Sequence, residues 1–364
     1  MKAGAHLAAA LHWSKASEAG AATALAAGLG MMVPALVGAA LGHLPLGLAG
    51  ALGAMTVADV AMEASAAAQL RGLAAAFVPA ALAMLAAALV AGQGWQGEAA
   101  MILIAGAAAA IGGFNRRSAV AAARFVIYLI IGAHAVGASP KPAAFQEVIL
   151  LAIAGGALWA SALSLLLGTL VRLHLSARSE RAANPPATRL RQNLRRWKSS
   201  LSALAGWNYV LRLTGCLAAA GMLQAVWPQH HFYWIALTVA LLCQRQLEAF
   251  PVKTTQRALG TALGVLGASL VLAHAPPAWA VVASIGLLAG LRSLLRARNY
   301  LAYSAVMTPL VVLILDAGAD GGANILIDRF VATLIGAGLT ILAAVAFEWK
   351  LVSLPGKRAS NSEG

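Results

Sequence analysis

The sequence predicts an all-α polytopic membrane protein of about twelve transmembrane helices, arranged as two parallel six-helix repeats. Three observations carry that prediction. Of 364 residues, 61% are hydrophobic and only 10% charged, too few charges for the polar shell of a water-soluble domain. Those charges fall in short clusters between apolar runs long enough to cross ~30 Å of hydrocarbon as helices of ~20 residues. The runs do not alternate in polarity, as the strands of a closed β-barrel would.

Taken in order, the first seventeen residues, MKAGAHLAAALHWSKAS, carry Lys2 and Lys15 but no continuous apolar core. They do not read as a cleavable signal peptide, so the first span is expected to be an uncleaved anchor. Gly, Pro and charge boundaries place six spans at about 19–41, 44–60, 71–91, 95–113, 118–138 and 147–171. Six more follow at about 207–227, 231–244, 257–274, 277–291, 299–315 and 324–348. The second span of each half is short, which suits a tilted or partly re-entrant segment. The chain then divides into a first repeat (1–171), a basic linker (172–206), a second repeat (207–352) and a tail (353–364).

In such a chain Lys and Arg should collect in the cytoplasmic loops. Lys2 and Lys15, Arg71, Arg116 and Arg117, the eight bases from Arg172 to Lys198, and Arg245, Lys253 and Arg257 fall on one side. Arg292, Arg296, Arg298, Lys350, Lys357 and Arg358 join them; the other side has Lys141 with Glu98, Asp316 and Asp320. Both termini and the linker are therefore expected in the cytoplasm. This asymmetry accounts for most of the net charge of +14 without nucleic acid as a partner. Within the linker, TRLRQNLRRWKSS spaces Leu190, Leu194 and Trp197 along one helix face, as an amphipathic helix on anionic lipid would.

The halves align at a shift of 181 to 186 residues. Thr56-Val57-Ala58 sits over Thr238-Val239-Ala240, Arg71 over Arg257, Asn115 over Asn299, Gly155-Gly156 over Gly336-Ala337, and Glu147 over Asp328. An even number of spans per half gives both repeats the same topology, related by an axis along the membrane normal, with a pathway between them. The second half also carries YWIALTVALL (233–242), QRALGTALGVLGASL (256–270), RNYLAYSAVMTPL (298–310) and DRFVATLIGAGL (328–339). On these motifs, residues 207–348 resemble the fusaric acid resistance family of aromatic acid exporters. That resemblance implies an inner-membrane protein exporting aromatic or other organic acids, with a homodimer or a periplasmic efflux partner as candidate assemblies. Many members add a large soluble domain, where this chain has only its linker.

Arg124, Arg212 and Arg329 lie within predicted spans, each about three to six residues from an end. Snorkelling to the interface and a role in an anion pathway are both open readings for them. Arg329 has the stronger functional case, because its repeat equivalent Val148 is apolar. Asp328 points about 100° away on a helix, leaving Arg329 to attract an anion and Asp328 to act as partner or proton site. A guanidinium suits that work because its planar fork grips a carboxylate and stays charged. Tyr233 and Trp234 are either interfacial anchors or stacking faces for an aromatic substrate. Arg257 reads as a solvated loop charge, and Asn299 as a helix cap beside Tyr300, all at the inner vestibule. His43, His134, His230, His231 and His274 read as scattered interfacial residues rather than a metal site. Gly38 and Gly42, and Gly260 and Gly264, read as packing faces, and Pro34, Pro79 and Pro309 as bends inside spans. Cys216 and Cys243 read as small core residues.

No serine elbow, zinc motif or P-loop is present, so neither enzymatic activity nor a cofactor is expected. Transport would run on an ion gradient or downhill. The leading expectation is an exporter of small organic anions, probed against a passive anion channel and a non-transporting scaffold.

Overall fold

In lipid an apolar chain can satisfy its backbone within one segment only as a helix, and helices are what the Ala- and Leu-rich runs form. The computed structural model describes residues 11–14, 20–63, 65–137, 143–174, 190–202, 204–243, 250–272, 276–315 and 322–353. Among these lie thirteen helices. The first six are α1 (Ala21–Ala40), α2 (Leu44–Met55), α3 (Ala66–Val90), α4 (Gly94–Ile111), α5 (Arg116–Gly137) and α6 (Ala143–His174). After α7 (Leu190–Ser202) come α8 (Leu204–Val226), α9 (Tyr233–Leu242), α10 (Phe250–Leu272), α11 (Ala278–Leu295), α12 (Tyr300–Leu315) and α13 (Gly322–Ser353).

Eight helices are long and apolar enough to cross a membrane, and α2, α9 and α12 are shorter apolar helices. The protein is a multi-pass membrane protein. Helix α10 is more polar because it opens with Lys253, Thr254, Thr255, Gln256 and Arg257. Helix α3 starts upstream of the expected boundary: Ser65 Oγ accepts from the Ala68 N–H at 3.2 Å, and Arg71 already sits on the helix. The linker helix α7 is held to α4 through Trp197, whose indole N–H donates to Ala110 O at 3.0 Å while its ring meets the edge of Phe114.

Helices α2 and α9 have 12 and 10 residues, about 18 and 15 Å of rise, well short of a full crossing. Past Met55 the chain leaves the helix yet stays buried at Thr56, Val57 and Ala58. Thr56 Oγ1 closes that turn by donating to Gly53 O at 2.7 Å. Irregular backbone at such depth is tolerated where protein surrounds it.

Within the first half α1 packs on α2, both pack on α6, α3 packs on α5 and α6, and α4 on α5. The second half has the corresponding pairs: α8 on α9, both on α13, α10 on α12 and α13, and α11 on α12. Between the halves α1 meets α11, α4 meets α8, α2 meets α12 and α5 meets α9. Small residues permit the tightest crossings. A Cβ on Gly53 would run into the backbone of Ile153, one on Gly156 into that of Gly50, and one on Gly260 would sit 2.5 Å from Leu301 O. Gly38 packs against Gly47 as expected of a packing glycine, but Gly42 does not. It has φ +73° with no neighbouring atom within 4 Å, and it ends α1 as a left-handed turn residue.

Candidate functional site

Buried polar side chains are distributed unevenly. The first half has Thr23, Thr56, Gln69 and Ser164; all the others among the described residues lie from Arg212 onward. In hydrocarbon each such group needs a partner or a wet surface, so the polar interior marks where function is to be sought.

One cluster forms where the start of α9, the seventh and eighth residues of α13 and the end of α5 converge. Asp328 accepts from His230 Nδ1 at 2.8 Å, His231 Nδ1 at 3.0 Å and the His231 backbone N–H at 2.9 Å. An ionised carboxylate only accepts, so each imidazole carries its proton on Nδ1. The neighbouring side chain diverges, as adjacent helix positions must: Arg329 lays its guanidinium over Trp234, 3.5 Å from the ring centroid. Trp234 is fully buried and Arg329 is 1% exposed, so neither snorkels to an interface. A desolvated cation–π pair of this kind is worth about 2 kcal/mol. Tyr233 stacks on His134 at 3.4 Å and leans against Trp234 at 4.5 Å. Asp328, Arg329, Tyr233 and Trp234, all expected as candidate pathway residues, are thus brought together, and three of the histidines expected to be scattered join them. Histidines distant in sequence converge because α5 packs on α9. His43 caps α2, and His274 lies outside the described residues. Among the described residues no group of three or more His, Cys, Asp or Glu side chains is placed to hold a metal ion.

The other expected residues occupy separate places. Arg212 of α8 is 5% exposed and within electrostatic reach of Cys216 and Cys243. Cys243 is the C-cap of α9, where the carbonyl end of a half-length helix favours a cation. Arg257 is not the solvated loop charge expected. Helix α10 begins at Phe250, about two turns earlier, so Arg257 is a mid-helix residue, 1% exposed, whose Nη1 donates to Ser304 Oγ at 3.2 Å. Asn299 does cap α12, its Oδ1 accepting from the Ala302 N–H at 3.0 Å, and its Nδ2 also donates to His12 O at 3.0 Å. Asn115 caps α5 in the same way, accepting from the Ser118 N–H at 2.8 Å.

Arg124 belongs to a second charged cluster that sequence reasoning missed. Asp59, just past α2, accepts from Arg292 Nη2 at 2.7 Å and Arg296 Nη1 at 3.3 Å. Arg124 and Tyr128 of α5 and Tyr303 of α12 lie within electrostatic reach of Asp59, and Tyr300 stacks on Tyr303 at 5.8 Å. Counting Arg292 among loop bases hid it, whereas the helix carries on past it and buries it to 1% exposure. The available signal was Asp59 itself, a lone carboxylate in an apolar run that calls for a base elsewhere.

Comparison with known proteins follows the same division of the chain. Residues 217–343 match the family model described as fusaric acid resistance protein-like. A 124-residue stretch is 32% identical to an uncharacterized protein of Haemophilus influenzae, covering 34% of this chain and 17% of that relative's length. No solved structure matches the chain. Residues 217–343 of this multi-pass membrane protein, which hold Arg329, Trp234, Asp328 and both histidines that bind it, are similar to the fusaric acid resistance protein-like domain.

Proposed function

We propose that the chain is a gradient-driven efflux transporter of small organic anions, aromatic carboxylates in particular, in a bacterial inner membrane. The observation that carries this reading is Arg329. A guanidinium buried in an apolar bundle and placed over an indole, 3.5 Å from its centroid, combines the two surfaces an aromatic acid needs, a cation for its carboxylate and a ring face for its ring. Asp328, bound by two imidazoles one residue away, is the group we assign to proton coupling. Arg212 and Arg257, buried deeper along the second half, continue the positive lining, with Asn299 and Tyr300 at its far end. The similarity of residues 217–343 to the fusaric acid resistance family supports an export role.

In this reading the twelve helices other than α7 are membrane spans forming two parallel repeats. Every major packing pair has a counterpart when the halves are exchanged, as a two-fold axis along the membrane normal requires. Both termini face the cytoplasm by the distribution of Lys and Arg, and α7 lies on anionic lipid. Uptake of labelled 4-hydroxybenzoate into inverted vesicles, with and without a proton gradient, tests the proposal. Uptake that collapses with a protonophore supports coupled export. Uptake indifferent to the gradient points to a passive channel, and none across a broad panel of acids rejects transport.

A further inference from the structure

The halves meet around charges that do not balance. Asp59 from the first half is shared by Arg292 and Arg296 from the second. Arg124 has Asp59, Arg296 and Tyr128 for electrostatic neighbours and makes no hydrogen bond to a described residue. Three guanidiniums therefore share one carboxylate. Arg292 is 1% exposed, and its Nε is buried with no partner among the described residues. A clip between the halves would need only one base for one acid; Arg296 is half-exposed and can be met by water, but buried Arg292 and half-buried Arg124 are each unfavourable without a counter-charge. Two phenols border the same place, buried Tyr128 and half-buried Tyr303. In the register that aligns Asn115 with Asn299, Arg292 falls opposite Ala108 and Arg124 opposite Thr308. The charge is thus on one side only and is not a by-product of the repeat.

We propose that Arg124, Arg292 and Arg296, with Tyr128 and Tyr303, form a carboxylate-binding site between the halves, and that Asp59 is its built-in competitor. In the empty state Asp59 holds Arg292; an incoming carboxylate displaces it, takes the guanidinium fork, and lays its ring or chain against the phenols. This rests on the organic-anion reading above. The site communicates with the Arg329 cluster through α5: Arg124 and His134 are ten residues apart on that helix, about 15 Å along its axis. Displacement of Asp59 also loosens an ion pair that ties α2 to α11, so ligand entry and relaxation of the contact between halves are one event.

The test is equilibrium binding of radiolabelled benzoate to the purified full-length chain. Arg124→Gln is expected to weaken binding about tenfold by removing one charge-assisted contact, with wild-type melting because Arg124 holds no hydrogen bond to a described residue. Asp59→Asn is expected to tighten binding about tenfold by removing the competing carboxylate. Arg124→Gln binding benzoate as wild type does, or Asp59→Asn melting normally yet binding more weakly, overturns the site. Should Asp59→Asn fail to fold, Arg124→Gln and Arg296→Gln decide alone by the same criterion. Unchanged binding in these variants with vesicle flux intact removes this site and leaves the exporter reading. The expected binding changes with no flux for any acid keep the site and remove the exporter.

Discussion

Arg329 and Trp234 form a pair whose two halves have separable chemistry. The indole supplies a ring face, so Trp234→Leu should lower the ratio of aromatic to aliphatic acid flux about fivefold, corresponding to the ~1 kcal/mol of an aromatic contact, while Trp234→Phe should keep most of it. Competition between labelled 4-hydroxybenzoate and an aliphatic acid in vesicles reads that ratio. Arg257 raises a different question, because its only hydrogen bond among the described residues is to Ser304. Arg257→Met replaces a buried cation by an apolar chain of similar length, so it should leave the melting temperature within a few degrees of wild type and still reduce flux about tenfold or more. A melt that collapses with flux per folded molecule intact would make Arg257 purely structural. At this scale the sequence told which side chains are unusual but not which are dry. Arg329 was legible as an intramembrane base, whereas Arg292 and Arg257 were hidden because a base near a span end looks alike whether it meets water or α12.

Helices were legible because a long apolar run in lipid satisfies its backbone as a helix, and each expected interval contains one, eight of the helices being long and apolar enough to cross a membrane. Their ends were not, since α6 and α13 run on past the apolar stretch to His174 and Ser353, where polarity changes but helical hydrogen bonding does not. Glycine roles were equally hard to read, because they depend on what lies opposite. Gly155 and Gly156 illustrate this: nothing lies within 4 Å of a Cβ on the first, while one on the second collides with Gly50. Gly155→Ala should therefore stabilise by up to ~1 kcal/mol from helix propensity alone. Gly156→Ala should force α2 and α6 apart and cost roughly 1–3 kcal/mol as overpacking does. Thermal melts in detergent should move in opposite directions for these adjacent substitutions. Helices α2 and α9 are too short for a full crossing, and the near-complete burial of α2 and of the residues after it explains why backbone leaving the helix at Thr56 is tolerated.

For the whole molecule, each helix pairing within one half has a counterpart in the other, and Asn115 and Asn299 cap α5 and α12 in the same way, which supports the two-repeat reading proposed above. The polar interior is concentrated in one half, which the spacing of apolar runs could not reveal because it carries no record of which polar side chains are buried. Orientation is open to a direct check, because Cys216 and Cys243 are buried and leave the surface without a described thiol. A cysteine at Gln192, on the linker helix, should resist a membrane-impermeant maleimide in intact cells and react after lysis, whereas one at Gln96 should react in both. The reverse pattern would invert the topology. The central claim is that the buried Arg329 guanidinium carries organic anions through the bundle, and the initial rate of labelled 4-hydroxybenzoate uptake into inverted vesicles tests it most directly. At matched amounts of folded protein, Arg329→Gln should lower that rate at least about tenfold, the loss of one charge-assisted contact to a carboxylate; a rate equal to wild type would contradict the account.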